Sequence, residues 1–174
     1  MRNGKIFLMM SVLLLAACAK PVQSTQHRTT WQMDTPQHML NLINQARSQA
    51  RKCGNQHFAA APPLAWSVKL ERAATLHAQD MAKHNYYSHI GRDQSTFAQR
   101  IQAQGYQYSG IAENIYAHPM TAELAMEGWL KSEGHCRNLM NPQFTHVGMG
   151  MGYNPNSDWQ TYWVQNFAHP LRFE

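Results

Sequence analysis

The sequence predicts an α+β fold in which helices pack around an antiparallel sheet. Apolar residues at helical spacing dominate the first two thirds of the chain, and alternating strand patterns occupy the last third. Helices that come first and a hairpin that comes last are typical of α+β domains. Residues 34–174 have the length of one ordinary domain.

The first predicted helix begins at Thr35-Pro36, with Thr35 as its cap and Pro36 at its first position. Its apolar face recurs at spacings of three and four residues and consists of Met39, Leu42, Ile43, Ala46 and Ala50. Gly54 is a natural end for this helix, and residues 57–63 form a loop that two prolines close.

A second helix is capped by Ser67, and residues 85–93 then read as a polar and aromatic loop. The buried face of this helix should include Leu70, Ala73, Ala74, His77 and Met81. A short third helix starts at Ser95 or Thr96 and ends at Gly105.

An extended piece is predicted within residues 106–116, followed by a helix that Thr121 caps. That helix runs through Leu124, Ala125 and Trp129, and the pattern breaks at residues 138–142.

The last third of the chain predicts two strands joined by a turn at residues 154–158. Residues 145–152 alternate small and larger side chains, as in a strand that touches neighbouring backbone. Residues 159–167 carry apolar groups on both faces, so the sheet should be covered on both sides.

Residues 1–17 indicate an export signal, because Arg2 and Lys5 precede an apolar run too short to span a bilayer. The ending Leu15-Ala16-Ala17-Cys18 resembles a bacterial lipobox, in which Cys18 becomes the lipidated first residue. The alternative is cleavage without a lipid. Residues 18–33 form a flexible tether in this interpretation.

The resemblance to lipoproteins implies a lipid-anchored protein of the bacterial cell envelope. By the Gram-negative pattern, Ala19 after Cys18 directs it to the outer membrane, facing the periplasm. An anchor on a Gram-positive cell surface is the alternative.

The formal net charge of +5 is not concentrated in any dense Lys/Arg run, which argues against nucleic acid as a partner. A mild positive charge suits the anionic polymers of an envelope.

Apart from Cys18, the chain has one pair of cysteines, Cys53 and Cys136. In an oxidising compartment such a pair forms a disulfide, here joining the end of the first helix to the residue after His135. Two buried thiols are the alternative.

Several segments together resemble one family. They are Leu42-Ile43-Asn44 with Arg47, Leu64 to Ser67, His89, Arg100-Ile101 with Gly105-Tyr106, Glu113-Asn114-Ile115, Trp129 with Ser132 and Gly134-His135, Asn138-Leu139-Met140, Val147 to Gly150, and Trp163-Val164-Gln165 with Phe167. In this order they resemble a bacterial member of the CAP superfamily. This superfamily of sperm-coating-protein-like domains includes cysteine-rich secretory proteins, antigen 5 and plant pathogenesis-related proteins.

The resemblance implies a three-layer αβα sandwich with a central cleft that two histidines and two glutamates line in eukaryotic members. His89, Glu113 and His135 match three of these residues and are the predicted catalytic group. The second glutamate is replaced by Ser132, and Glu133 follows one position later. Ser132, Glu133 and Asn114 are therefore candidates for substrate contact, and Asn114 has a structural brace as its alternative role.

Two kinds of chemistry fit these residues. His89 and His135 offer imidazoles to a divalent metal ion such as Zn²⁺, although no tight His-x-x-x-His spacing links them. Without a metal, Glu113 or a histidine can exchange protons with a substrate. Peptidoglycan is the abundant substrate of the envelope, and a hydrolase or lytic transglycosylase acting on its glycan strands is one hypothesis.

A binding module for a lipid, sterol-like or glycan ligand is the other hypothesis, since relatives of this kind are associated with binding. A serine protease ranks last, because no nucleophile elbow surrounds Ser132. A monomer is expected.

Overall fold

The computed structural model describes residues 36–118 and 120–171. The predicted signal segment 1–17, lipidated Cys18, the tether 18–33 and the Thr35 cap lie outside these residues. The described elements are α1 (Pro36–Arg47), β1 (Arg51–Cys53), β2 (Gln56–Phe58), β3 (Ala65–Trp66), α2 (Val68–His84), α3 (Phe97–Ala103), β4 (Tyr108–Ala117), α4 (Ala122–Lys131), α5 (Glu133–Met140), β5 (His146–Tyr153) and β6 (Thr161–Pro170). No helix in this part of the chain is long and apolar enough to cross a bilayer.

The central sheet has the strand order β3-β5-β6-β4. The pairs β5–β6 and β6–β4 are antiparallel, and the two-residue strand β3 joins β5 in parallel. The predicted C-terminal hairpin is therefore confirmed.

Helices cover both faces of this sheet. On one face α2 contributes Ala74, Ala78 and Met81 to a cluster with Ile115 and Val164. On the other face α1, α4 and α5 form the larger cluster, which includes Met39, Ile43, Trp129, Leu139, Val147, Met149, Trp163 and Phe167. The three-layer αβα sandwich is confirmed.

Three glycines of β5 let α2 approach the sheet closely. A Cβ at Gly148 would collide with the main chain of Leu70 and Glu71, and Gly150 and Gly152 are similarly close to the helix. This contact is the close backbone approach that the alternation in residues 145–152 predicts.

Helix α2 follows the prediction closely. Its N-cap Ser67 accepts a hydrogen bond from the Leu70 N–H, and the predicted face is buried throughout. Helix α3 begins after Thr96, which forms a capping box with Gln99.

The first predicted helix is too long. Helix α1 ends at Arg47, and the chain then forms the β1–β2 hairpin, whose turn contains Gly54 at a φ of 60°. Ala50 is exposed, and the predicted loop at residues 57–63 begins with part of β2. Cys53 therefore lies on a strand instead of at a helix end.

The predicted break at residues 138–142 is misplaced, because the helix is interrupted at Ser132 instead. Ser132 has an extended ψ of 124° and both ends α4 and begins α5, which continues to Met140. His135 therefore lies on a second helix, and Glu113 lies on the ten-residue strand β4 and not in a loop.

The predicted disulfide between Cys53 and Cys136 is present, with a Cα–Cα distance of 5.5 Å and both residues buried. It connects β1 to α5 across a sequence separation of 83 residues. Closing so long a loop removes chain entropy from the unfolded state, which stabilises the fold by about 4 kcal/mol in the entropic account.

Gly148→Ala should lower the free energy of unfolding by about 1–3 kcal/mol, because the new methyl group collides with α2 main chain that cannot move aside. Gly134→Ala is the matched control, since a Cβ there meets nothing within 4 Å. It should leave stability unchanged or raise it by up to about 1 kcal/mol, because alanine favours helix. Urea unfolding of both variants measures the difference, and equal stabilities would contradict the packing described for β5 and α2.

Candidate functional site

Glu113 is a buried carboxylate in the middle of β4. Its side chain is only 1% exposed. Because side chains alternate along a strand, Glu113 and its neighbour Asn114 face opposite sides of the sheet. Glu113 faces the layer of α2 and α3, and Asn114 faces α5.

Two cationic or polar side chains contact the Glu113 carboxylate. His89 Nδ1 lies 2.9 Å from Oε1, and Arg100 Nη2 lies 3.1 Å from Oε1 and 2.9 Å from Oε2. In the amide orientation that satisfies both of its polar atoms, Asn166 Nδ2 also donates to Oε2 at 3.3 Å. A charge this deep needs such partners, because an isolated carboxylate out of water is strongly disfavoured.

Arg100 also fixes the loop that carries His89. Its guanidinium donates to the main-chain oxygens of His89 at 3.0 Å and Ser95 at 2.8 Å. Sequence reasoning placed Arg100 in a family motif but gave it no role. The need of a buried acid for a cation could have suggested a partner, but not which arginine.

His89 presents a nitrogen to solvent. Because an ionised carboxylate only accepts hydrogen bonds, the His89 Nδ1 that contacts Glu113 carries a proton. In the neutral ring Nε2 is then the unprotonated nitrogen, and the side chain is 48% exposed. The arrangement leaves Nε2 free to exchange a proton or to accept a hydrogen bond.

His77 supports the same loop from beneath. It is 2% exposed on α2, and its Nε2 donates to the Ser88 main-chain oxygen at 2.9 Å. Burial lowers the pKa of His77, and the Arg100 charge lowers it further. His77 is the satisfied core histidine that the sequence predicts.

His135 is half-buried on α5 and lies within range of the His89 charge. Burial lowers its pKa, and the proximity of His89 lowers it further. Its main-chain oxygen accepts a hydrogen bond from Asn114 Nδ2 at 3.2 Å. The structure thus brings His89 into contact with Glu113, and ties the main chain of His135 to the residue next to Glu113.

The three predicted substrate contacts lie in different settings. Asn114 is fully buried, and its amide bonds to His135, Asn138 and Gln165, so the proposed substrate contact is wrong and the brace is correct. Ser132 is half-buried at the junction of α4 and α5 and makes no side-chain cap.

Glu133 is the third of these residues. It is exposed, pairs with Arg137 one turn along α5 and lies over the Gly54 turn. These contacts do not make it a substitute for the missing second glutamate.

The sequence profile of the cysteine-rich secretory protein family, CAP, matches residues 40–167. The chain belongs to the CAP family. Its β4 glutamate and two histidines occupy the positions that the resemblance implies, whereas the residue after α4 is Ser132 in this CAP domain.

Other CAP domains in bacteria are similar to this chain. The uncharacterized membrane protein YlbC of Bacillus subtilis is 32% identical over 104 residues, which are 60% of this chain and 28% of YlbC. The solved structure of an extracellular protein containing an SCP domain from Bacillus anthracis is 34% identical, with a TM-score of 0.64, and the match covers 76% of this chain and 39% of that one. An outer surface protein of Borrelia burgdorferi shares the fold, with 18% identity, a TM-score of 0.60, and coverage of 80% and 98%. The chain thus matches less than half the length of both Bacillus proteins.

A metal at His89 and His135 stays a prediction. The carboxylate of Glu113 is already used by Arg100 and His89, so this CAP site offers an ion two imidazoles, fewer than the three protein ligands of a catalytic zinc site. Within residues 36–118 and 120–171 no group of three or more His, Cys, Asp or Glu side chains is arranged to hold a metal ion.

Stability of the CAP domain should fall as the pH drops below about 6.5, because burial lowers the folded-state pKa of His77 below its ordinary value of 6.5. The contribution is complete above the unfolded-state value and is lost as the pH falls through the lowered folded-state value. His77→Gln retains an amide donor for the Ser88 oxygen but cannot titrate, so its unfolding free energy should change less between pH 7.5 and pH 5.5. Urea unfolding at both pH values measures this, and identical pH dependence in the two proteins would contradict a buried neutral His77.

Proposed function

We propose that this protein acts on the glycan strands of peptidoglycan by acid–base chemistry at His89. The observation that supports this proposal is the His89–Glu113 pair, in which a buried carboxylate holds an imidazole whose second nitrogen faces solvent. A positioned histidine of this kind is the commonest general acid and base in enzymes.

Glu113 serves in this proposal as an orienting residue and not as the acid that contacts substrate. Its side chain is 1% exposed, and Arg100 favours its ionised form by contacting both oxygens. It would hold the His89 ring in one tautomer and stabilise the imidazolium that forms during reaction, as the buried aspartate does in a catalytic triad.

One residue suffices for an intramolecular transfer. Protonated His89 gives its Nε2 proton to the glycosidic oxygen while that oxygen leaves the anomeric carbon. The C6 hydroxyl of the same muramyl residue attacks that carbon, and Nε2 takes the hydroxyl proton. The products are a 1,6-anhydro sugar and a free sugar hydroxyl, and His89 returns to its starting protonation state.

His135 supplies a ligand-binding imidazole in this scheme. Its lowered pKa keeps the ring neutral near pH 7, so it can accept and donate hydrogen bonds to sugar hydroxyls without adding charge beside His89. Ser132 at the start of α5 is a second polar group for the same purpose.

We place the protein in the bacterial cell envelope, held by a lipid on Cys18. The lipobox-like Leu15-Ala16-Ala17-Cys18, the disulfide and the extracellular and membrane proteins among its relatives support this location. Peptidoglycan is then within reach of the tethered domain.

A binding module is the second candidate, and a specific observation favours it. Most glycosidases use two carboxylates, whereas Glu113 is the single buried carboxylate at this site and is neutralised by Arg100. His89 and His135 would then hold a glycan, lipid or sterol-like ligand without turnover.

The test incubates the purified protein with peptidoglycan sacculi and measures soluble anhydro-muropeptides by mass spectrometry. His89→Ala should reduce release at least about a hundredfold, because general acid–base catalysis contributes about 10²–10⁴ in rate. His57→Ala, at an exposed histidine on β2, is the matched control and should release muropeptides at the wild-type rate.

Two outcomes would overturn the enzyme proposal. Equal release by the His89→Ala and wild-type proteins would remove His89 from the chemistry. Sedimentation of the protein with sacculi, without any release, would favour the binding module.

A further inference from the structure

Strand β4 is the last strand of the described sheet, so one of its edges is paired and the other is not. It pairs along one side with β6. Its other side lies between the loop of His89 and helix α5 with His135. An unpaired edge presents main-chain N–H and C=O groups to whatever approaches it.

Two hydrogen bonds define which residues of β4 face outward. Thr145 N donates to Ala168 O at 3.0 Å, which shows that Ala168 faces β5, and His118 N donates to Thr161 O at 2.9 Å, which shows that Thr161 faces β4. Both polar groups of an antiparallel strand residue point to one side, and the side alternates along the strand. The β4 residues that bond to β6 are therefore Ala112, Asn114 and Tyr116, and those that face outward are Ile111, Glu113 and Ile115.

The outward edge is closed at both ends. Ile115 O accepts hydrogen bonds from Tyr87 Oη at 3.0 Å and Trp129 Nε1 at 3.1 Å, neither of which is on β6. At the other end the register is irregular between Tyr108 and Gly110. The open part of the edge is Ile111–Glu113, which we call the β4 window.

The main chain of the β4 window is accessible. Glu113 is 6% exposed as a residue but 1% exposed in its side chain, so the exposed part is main chain. In the described ranges no residue forms a hydrogen bond to the outward groups of Ile111 or Glu113. Two donors and two acceptors thus face the cleft at strand spacing.

We propose that the β4 window binds a short extended peptide as an added strand, and that this peptide is the stem peptide of peptidoglycan. The assignment rests on the proposed function for the choice of polymer. Alternating N–H and C=O groups complement a peptide backbone, whereas a glycan chain has no such repeat.

The length of the window decides against larger occupants. Three residues extend about 10 Å, and Tyr87, Trp129 and the register irregularity limit pairing beyond them. A second copy of this chain or a long protein strand could not add more than this short stretch. A stem peptide bound here would bring the muramyl residue that carries it toward His89.

The direct test measures amide hydrogen exchange by NMR with and without the synthetic tripeptide L-Ala-γ-D-Glu-diaminopimelate. Exchange at Ile111 and Glu113 should slow about tenfold or more near saturation, because their N–H groups gain acceptors. Ala112 and Asn114 are internal controls, since their N–H groups already bond to β6. Unchanged exchange at Ile111 and Glu113 with the tripeptide bound would overturn the proposal.

A pair of variants at Ile111 tests the same contact. Ile111→Pro removes one outward N–H and no bond to β6, as proline allows on an edge, and should weaken tripeptide binding about three- to tenfold. Ile111→Ala loses the same packing but keeps the N–H, so it should bind within about twofold of wild type. Should Ile111→Pro fail to fold, N-methylation of the tripeptide amides must give the same weakening with wild-type protein; equal affinity would overturn the proposal.

The outcomes separate this inference from the function on which it rests. Slowed exchange without release of muropeptides would support the β4 window and defeat the enzyme. Release without slowed exchange would do the reverse. Stronger protection by tri-L-alanine than by the stem tripeptide would show that the window serves protein segments, and would overturn the proposed occupant.

Discussion

The buried charge of Glu113 is the constraint on which the rest of the site depends. A carboxylate that is 1% exposed in the middle of a strand requires compensating donors. Arg100 from α3 and His89 from the preceding loop supply them. One ion pair therefore docks a short helix and an irregular loop onto β4.

The loop around His89 has no regular structure, and its shape comes from hydrogen bonds to its neighbours. His77 holds the Ser88 oxygen, Tyr87 holds the edge of β4, and Arg100 holds the oxygen of His89. Each of these donors is itself fixed in a helix or by packing. The His89 ring is thus held in a defined position without belonging to a helix or strand.

Helix α5 reaches the same strand from the opposite layer. Asn138 and the main chain of His135 bond to Asn114, and Cys136 joins α5 to β1 through the disulfide. His135 lies between these two attachments. The alternation of β4 thus explains why adjacent residues, one acidic and one an amide, organise the two sides of one cleft.

The sequence predicted the elements with strong local signals. The Ser67 cap and the apolar period of α2 are local, and so is the alternation of β5 and β6. The β1–β2 hairpin was missed because its three-residue strands are too short to show a period. The break at Ser132 was missed because neither glycine nor proline marks it.

The site was predictable only in part, for similar reasons. His89, Glu113 and His135 came from the family resemblance, and their motifs are contiguous in sequence. The Arg100–Glu113 ion pair and the outward face of Ile111 depend on strand order and register, which no local pattern contains.

The most direct measurement of the central claim is the tautomer of His89, observed by NMR of protein labelled with ¹⁵N-histidine at a pH where the ring is neutral. A proton on Nδ1, with Nε2 unprotonated, is the state that the contact with Glu113 requires. A neutral ring protonated at Nε2 would contradict the account, because the carboxylate would then face a nitrogen with no proton to donate.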